Sequence, residues 1–152
     1  MNLTEQPETM IWPATHYVFI ERMGSFQQNA PAAWQDLHAQ ADALRAHNEI
    51  TGAMALYKAD TMAYRAGFML ASAPKHLPAA LAYTQFPGGT YRRFVLTGPY
   101  SDLPEASARV WQIVAQERAK LRNDFAIEHY VNDPSVTPAE DLITEILIPV
   151  AE

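Results

Sequence analysis

The chain has 152 residues, 49% of them hydrophobic, which suits one well-packed core and is too few for two ordinary domains. Zero cysteines exclude disulfides and thiolate metal sites and accord with a reducing cytoplasm, the compartment expected here. A net charge of −6, with Arg92-Arg93 the one locally basic pair, speaks against direct nucleic-acid binding, which calls for a concentrated basic face.

The opening Met1-Asn2-Leu3-Thr4-Glu5-Gln6-Pro7-Glu8 lacks the basic flank and apolar run of a secretory signal. No later stretch reaches the ~20 apolar residues of a membrane span, so no membrane association is expected. A single domain over 1–152 is therefore predicted. From Trp12 onward the chain reads as though written twice. One constant separation aligns Trp12-Pro13 with Phe86-Pro87, Tyr17 with Tyr91, and Gly24-Ser25-Phe26 with Gly98-Pro99-Tyr100. With a drift of one residue, Asn29 meets Asp102, Pro31 meets Pro104, Tyr57 meets Tyr130 and Asp60 meets Asp133. The predicted repeats cover about 10–72 and 84–151.

Each repeat opens with an extended segment ending in Pro, followed by a strand, Tyr17 to Met23 or Tyr91 to Thr97, that a glycine breaks. A helix comes next. Asn29 and Asp102 are the expected N-caps, Pro31 and Pro104 fall in the first turn, and Asp102 to Glu105 has capping-box spacing. Trp34, Leu37, Ala41 and Leu44 form one apolar stripe; Leu103, Val110 and Val114 with the neighbouring Trp111 form the other. Two strands close each repeat, near Gly52 to Lys58 and Met62 to Ala71, then near Phe125 to Asn132 and Asp141 to Val150. The predicted fold is α+β: duplicated β-α-β-β halves with pseudo-twofold symmetry, an antiparallel sheet with helices on one face, and a central groove.

Glu145 is the anomaly in this pattern, a carboxylate within Leu142-Ile143-Thr144-Glu145-Ile146-Leu147-Ile148-Pro149-Val150. Among apolar neighbours it requires a partner, a ligand or a raised pKa, and pairing with an Arg such as Arg65 or exposure by a bulge are the plain alternatives. Alternation separates Glu145, Ile143 and Leu147 from Leu142, Ile146 and Ile148, and the latter set suits the helix. On the preceding strand Ile127 and Val131 are expected to face the helix, with Glu128 and Tyr130 turned to the groove beside Glu145. In the first repeat Met54 and Leu56 take the helix side and Tyr57 the groove. Phe19 and Tyr91 join by parity, and a groove-end tryptophan, Trp111, can serve both core and ligand. Aromatic walls with one carboxylate suit a lipophilic, cationic aromatic ligand. Plainer readings stand beside these: half-buried strand aromatics for Tyr57 and Tyr130, and a solvated side chain for Glu128.

Gly98-Pro99-Tyr100, Glu128-His129-Tyr130-Val131-Asn132-Asp133-Pro134 and Thr144-Glu145-Ile146-Leu147-Ile148-Pro149-Val150, in that order after a degenerate first half, resemble the GyrI-like small-molecule-binding domain. This is the effector-binding domain of AraC-type and multidrug-responsive regulators. The resemblance implies a duplicated fold with a central pocket, and an acidic residue on the last strand, matched by Glu145, that contacts cationic aromatic drugs. In Met62-Ala63-Tyr64-Arg65-Ala66-Gly67-Phe68, Gly67 stands where the second half has Glu145, leaving room opposite the carboxylate and Phe68 beside it. No helix-turn-helix stands before Trp12. Three roles follow: a stand-alone small-molecule binder, a hydrolase of strained electrophiles with Glu145 as general base and Tyr130 as hydrogen-bond donor, or an inhibitor of gyrase type acting on a protein partner. No cofactor is implied, and the five histidines show no metal-ligand spacing. An open edge strand would permit a homodimer.

Overall fold

The computed structural model describes residues 1–151; Glu152, the last residue of the expected domain, lies outside them. The strands are β1 (Asn2–Leu3), β2 (Glu8–Trp12), β3 (Thr15–Met23), β4 (Ile50–Lys58), β5 (Ala63–Leu70), β6 (Ala82–Phe86), β7 (Gly89–Thr97), β8 (Ala126–Tyr130) and β9 (Ile143–Pro149). The helices are α1 (Phe26–Ala39), α2 (Ala41–Arg45) and α3 (Leu103–Gln116). The class is α+β, and every named pairing is antiparallel. The chain divides into two compact units, one of Pro13–Gly88 and one of Met1–Trp12 with the chain from Gly89 onward.

In the first unit the strands run β4, β5, β3, β6. In the second they run β8, β9, β7, with both β1 and β2 on the outer edge of β7. Both units keep the predicted order of strand, helix and two strands. The opening segments, however, do not pair with the strands that follow them. Glu8–Trp12 lies along β7, with Met10 opposite Tyr91 and Trp12 opposite Gly89. Ala82–Phe86 lies along β3, with Tyr17 opposite Thr84 and Thr15 opposite Phe86. Each opening segment thus pairs in the unit other than that of the strand it precedes in sequence.

Gly24 and Gly98 break β3 and β7 as expected, at φ +116° and +146°, backbone that side-chain-bearing residues rarely adopt. Helix α1 begins earlier than the cap pattern suggests. Ser25 flanks its start, so Asn29 lies inside the first turns and uses its side-chain amide on the Met23 carbonyl at 3.1 Å. Pro31 is thus an interior proline, which removes one helix hydrogen bond. Helix α3 does start after Asp102 with proline in its first turn. Asp102 makes no side-chain cap bond because a 3₁₀ turn, Tyr100–Asp102, feeds straight into the helix. Helix α3 buries Ala106, Val110, Ile113 and Val114, whereas α1 and α2 bury Ala33, Leu37, Ala41 and Leu44. Trp34, Leu103 and Trp111 are only half-buried.

Register decides which side chains share a face, because directly paired residues point the same way. In the second unit one face carries Arg92, Phe94, Leu96, Thr144, Ile146, Ile148, Glu128 and Tyr130. Arg92 from this face reaches Glu117 at the end of α3, at 2.7 Å, so this is the side that α3 covers. The opposite face carries Tyr91, Arg93, Val95, Glu145, Leu147, Ile127 and His129. The expected grouping is corrected here: Glu128 and Tyr130 lie on the helix side with Ile146, and Glu145 lies on the other.

The first unit shows the same reversal. Tyr57 pairs with Tyr64, and Phe68 shares their face. Helix α1 packs on that side, with Phe26 edge-on to Tyr57 at 5.7 Å, His38 against Phe68 at 5.8 Å, and Trp34 Nε1–H donating to the Tyr64 hydroxyl at 2.8 Å. Met54 and Leu56 therefore point away from α1, with Phe19, Arg65 and Gly67.

Candidate functional site

Glu128 occupies the middle of β8, on the side covered by α3. Burial holds its carboxyl above the ordinary carboxylate range, while a hydrogen bond from Tyr130 pulls the other way. Tyr130 donates its hydroxyl to Glu128 Oε1 at 2.7 Å, a contact that a strand delivers directly because residues two apart share a face. The Tyr130 ring stands edge-on to Tyr100, with centroids 5.4 Å apart. Tyr100 belongs to the turn that starts α3, and its hydroxyl pKa is raised by burial first, then by Asp133 and Glu128. The result is a part-buried carboxylate bonded to Tyr130, whose ring packs against Tyr100, with Thr144, wholly buried, across the ladder from Tyr130.

Glu145 has a different occupation. Arg93 donates through Nη1 to its Oε2 at 2.6 Å, and His129 Nδ1 lies 2.7 Å from its Oε1. Arg93 also reaches Glu8 on β2 at 2.8 Å, and the Trp12 indole meets the His129 ring edge-on at 5.3 Å. The His129 bond, ahead of the opposing burial and then the Arg93 bond, lowers the Glu145 carboxyl pKa. Its anomaly is resolved by arginine pairing, with Arg93 in place of Arg65, which instead binds Glu21 at 2.6 Å.

Glu145→Gln is expected to lose about 1–3 kcal/mol of stability at neutral pH, since it weakens two charge-assisted hydrogen bonds with little solvent access. The pH dependence follows from the lowered pKa. The contribution is complete above the unfolded carboxylate value near ~4.3 and is lost as pH falls through the depressed folded value. Denaturation midpoints of the two proteins should differ most at pH 7, and the difference should narrow as the pH is taken below ~4.3.

The remaining predicted residues are distributed by the same faces. Tyr57 and Phe68 are buried beneath α1, as described. Phe19 is buried on the far side, where the Arg65 guanidinium sits 4.4 Å over its ring. Tyr91 is fully buried, donates to the Phe125 carbonyl at 2.9 Å, and lies under Arg122. Trp111 lies half-buried on α3. Gly67 does not leave a space: the Tyr17 ring lies across it, its hydroxyl donating to the Met54 carbonyl at 2.8 Å. By strand register Gly67 pairs with Phe19 and Arg65 with Glu21, whereas Glu145 pairs with Val95 and His129.

Two contributors were not singled out from the sequence. Tyr100 was visible only as part of Gly98-Pro99-Tyr100, and Arg93 as half of a basic pair. The usable signal was Glu128-x-Tyr130, a spacing that puts acid and hydroxyl side by side on a strand.

The chain belongs to the GyrI-like small-molecule-binding domain family, whose model matches residues 6–151. Among solved structures, the C-terminal domain of EcmrR aligns with a TM-score of 0.74 at 17% identity, over 97% of this chain and 98% of that one. SAV2435 bound to tetraphenylphosphonium aligns at 0.70 and 18% identity, over 95% and 93%. A hydrolase encoded by lin2189 from Listeria innocua aligns at 0.63 and 13%, over 97% and 92%. At these identities the likeness is one of fold. No curated protein sequence matches the chain.

Proposed function

We propose that this protein binds lipophilic cations bearing aromatic rings, with Glu128 as the countercharge and Tyr130 and Tyr100 as the ring surfaces. One observation carries the reading: Glu128 is a part-buried carboxylate whose hydrogen bond comes from a tyrosine in ring contact with a second tyrosine. Low local dielectric strengthens its attraction for positive charge, and ring faces add cation–π attraction. Tetraphenylphosphonium in SAV2435 supports the same ligand class.

Tetraphenylphosphonium chloride is the direct probe, because it offers charge and rings but no hydrogen-bond donor. At a concentration ~100 times its dissociation constant it should stabilise the protein by about 2.7 kcal/mol, read as a rise in Tm. No rise at millimolar concentration would overturn the reading.

A second reading gives the same pair a chemical role. Glu128, with its raised pKa, takes a proton from water as the water oxygen bonds to an epoxide carbon, and the Tyr130 hydroxyl, released as Glu128 is protonated, turns to the epoxide oxygen as its C–O bond breaks. Consumption of an epoxide-bearing probe by substoichiometric protein would favour it over simple binding.

A further inference from the structure

His47 and His76, distant in sequence, meet on the surface of the Pro13–Gly88 unit with ring centroids 5.0 Å apart. Both are exposed. Their meeting is built into the backbone by Asn48. Its side-chain amide donates to the Leu44 carbonyl at 2.9 Å and to the His76 carbonyl at 2.9 Å, while its Oδ1 accepts the Lys75 N–H at 2.8 Å. One side chain thus fastens the end of the helical segment to the loop that carries the second imidazole.

The separation matches a specific chemistry. A Zn–N bond of about 2.0 Å, extended to the ring centre, puts each centroid about 3.2 Å from a shared ion, and a tetrahedral angle then separates two centroids by about 5.2 Å. We propose that His47 and His76 form a two-imidazole site for a borderline first-row dication such as Zn²⁺, the exposed rings, whose planes stand 63° apart, turning so that one nitrogen of each faces the ion. Among the described residues no third His, Asp or Glu completes the set, so water or an external ligand fills the remaining positions. The site is open in the sense that leaves an ion accessible to a small anion or a donor from another molecule. The pair lies in the Pro13–Gly88 unit and Glu128 in the other, and the site does not depend on the ligand reading above.

Calorimetric titration with ZnCl₂ tests the proposal. The protein is expected to bind one equivalent, and MgCl₂, a hard ion with no liking for imidazole, none. His47→Ala and His76→Ala should each weaken Zn²⁺ binding at least tenfold. Asn48→Ala should weaken it while retaining both ligands, which distinguishes a fastened pair from two independent surface imidazoles. Substitution by Co²⁺ should add visible absorption typical of tetrahedral nitrogen coordination in the wild type, lost in the double His variant. Full-strength Zn²⁺ binding by that double variant, or none by the wild type, overturns the site and leaves an edge-to-face ring pair only. The exposure of both histidines makes misfolding of these variants easy to exclude by circular dichroism.

Discussion

Gly67→Ala is expected to destabilise the protein by about 3 kcal/mol, the upper end for forcing extra volume into a packed interior. The added Cβ would fall inside the Tyr17 ring, against Cζ, Cε1 and the hydroxyl together. Tyr17 is wholly buried and has little freedom to retreat. Its hydroxyl pKa stands well above the usual tyrosine value, chiefly through burial, and its hydrogen bond to the Met54 carbonyl would be broken by any displacement. Denaturant titration gives the loss directly. Combining Gly67→Ala with Tyr17→Leu should cost clearly less than the two separate losses added together, because the second change removes the clash made by the first. Strict additivity would show that the ring does not rest on the strand.

That ring also shows why the sheet faces were hard to read. Proline, glycine and capping residues act locally, so the order of strand, helix and two strands, and the breaks at Gly24 and Gly98, were legible in the sequence. Face assignment was legible for the last strand, whose Ile146 and Ile148 do lie on the helix side with Glu145 opposite, but not for the strand before it. Ile127 and Val131 looked core-directed, yet Val131 is 47% exposed while Ile127 is fully buried on the side away from α3. Both faces hold fully buried residues, Leu147 and Tyr91 on one, Phe94 and Ile146 on the other. Alternation then separates two sets without saying which one meets the helix. Only the ladder does so, by placing His129 beside Glu145 and Glu128 beside Ile146. The same ladder, through the diagonal step to Arg93, reveals the partner that makes Glu145 structural. Pairing between distant strands is a choice the local sequence does not encode.

Glu128→Gln is expected to weaken tetraphenylphosphonium binding at least tenfold, about 1.4 kcal/mol, with Glu145→Gln leaving affinity unchanged. Glutamine keeps the volume and an oxygen for the Tyr130 hydroxyl, so the change removes charge alone. Equal responses in the two variants would remove Glu128 from the site. Protonation makes the same comparison in the wild type. As pH falls through the raised Glu128 pKa the carboxyl becomes neutral, so affinity should begin to decline above the range where an ordinary carboxylate titrates, near ~4.3. Stability moves oppositely. A carboxyl that binds its proton more tightly in the folded state favours folding more as pH falls, so Glu128→Gln should modestly stabilise the unliganded protein at pH 7. That gain, set beside the loss in Glu145→Gln, separates the carboxylate proposed as the ligand's countercharge from the one paired with Arg93 and His129.

The pairing of Glu8–Trp12 with β7 bears on how the chain reaches its native state. Pro13–Gly88 is continuous in sequence and pairs β4, β5, β3 and β6 with one another, so those ladders can form as soon as it emerges from the ribosome. Glu8–Trp12, made earlier, has to wait for β7, since Trp12 finds its partner only at Gly89. A strand made early is thus among the last to be paired, and that pairing carries the long sequence separation that slows folding. Until then its backbone groups are unpaired, and the ion pair between Glu8 and Arg93 forms only when the two strands meet.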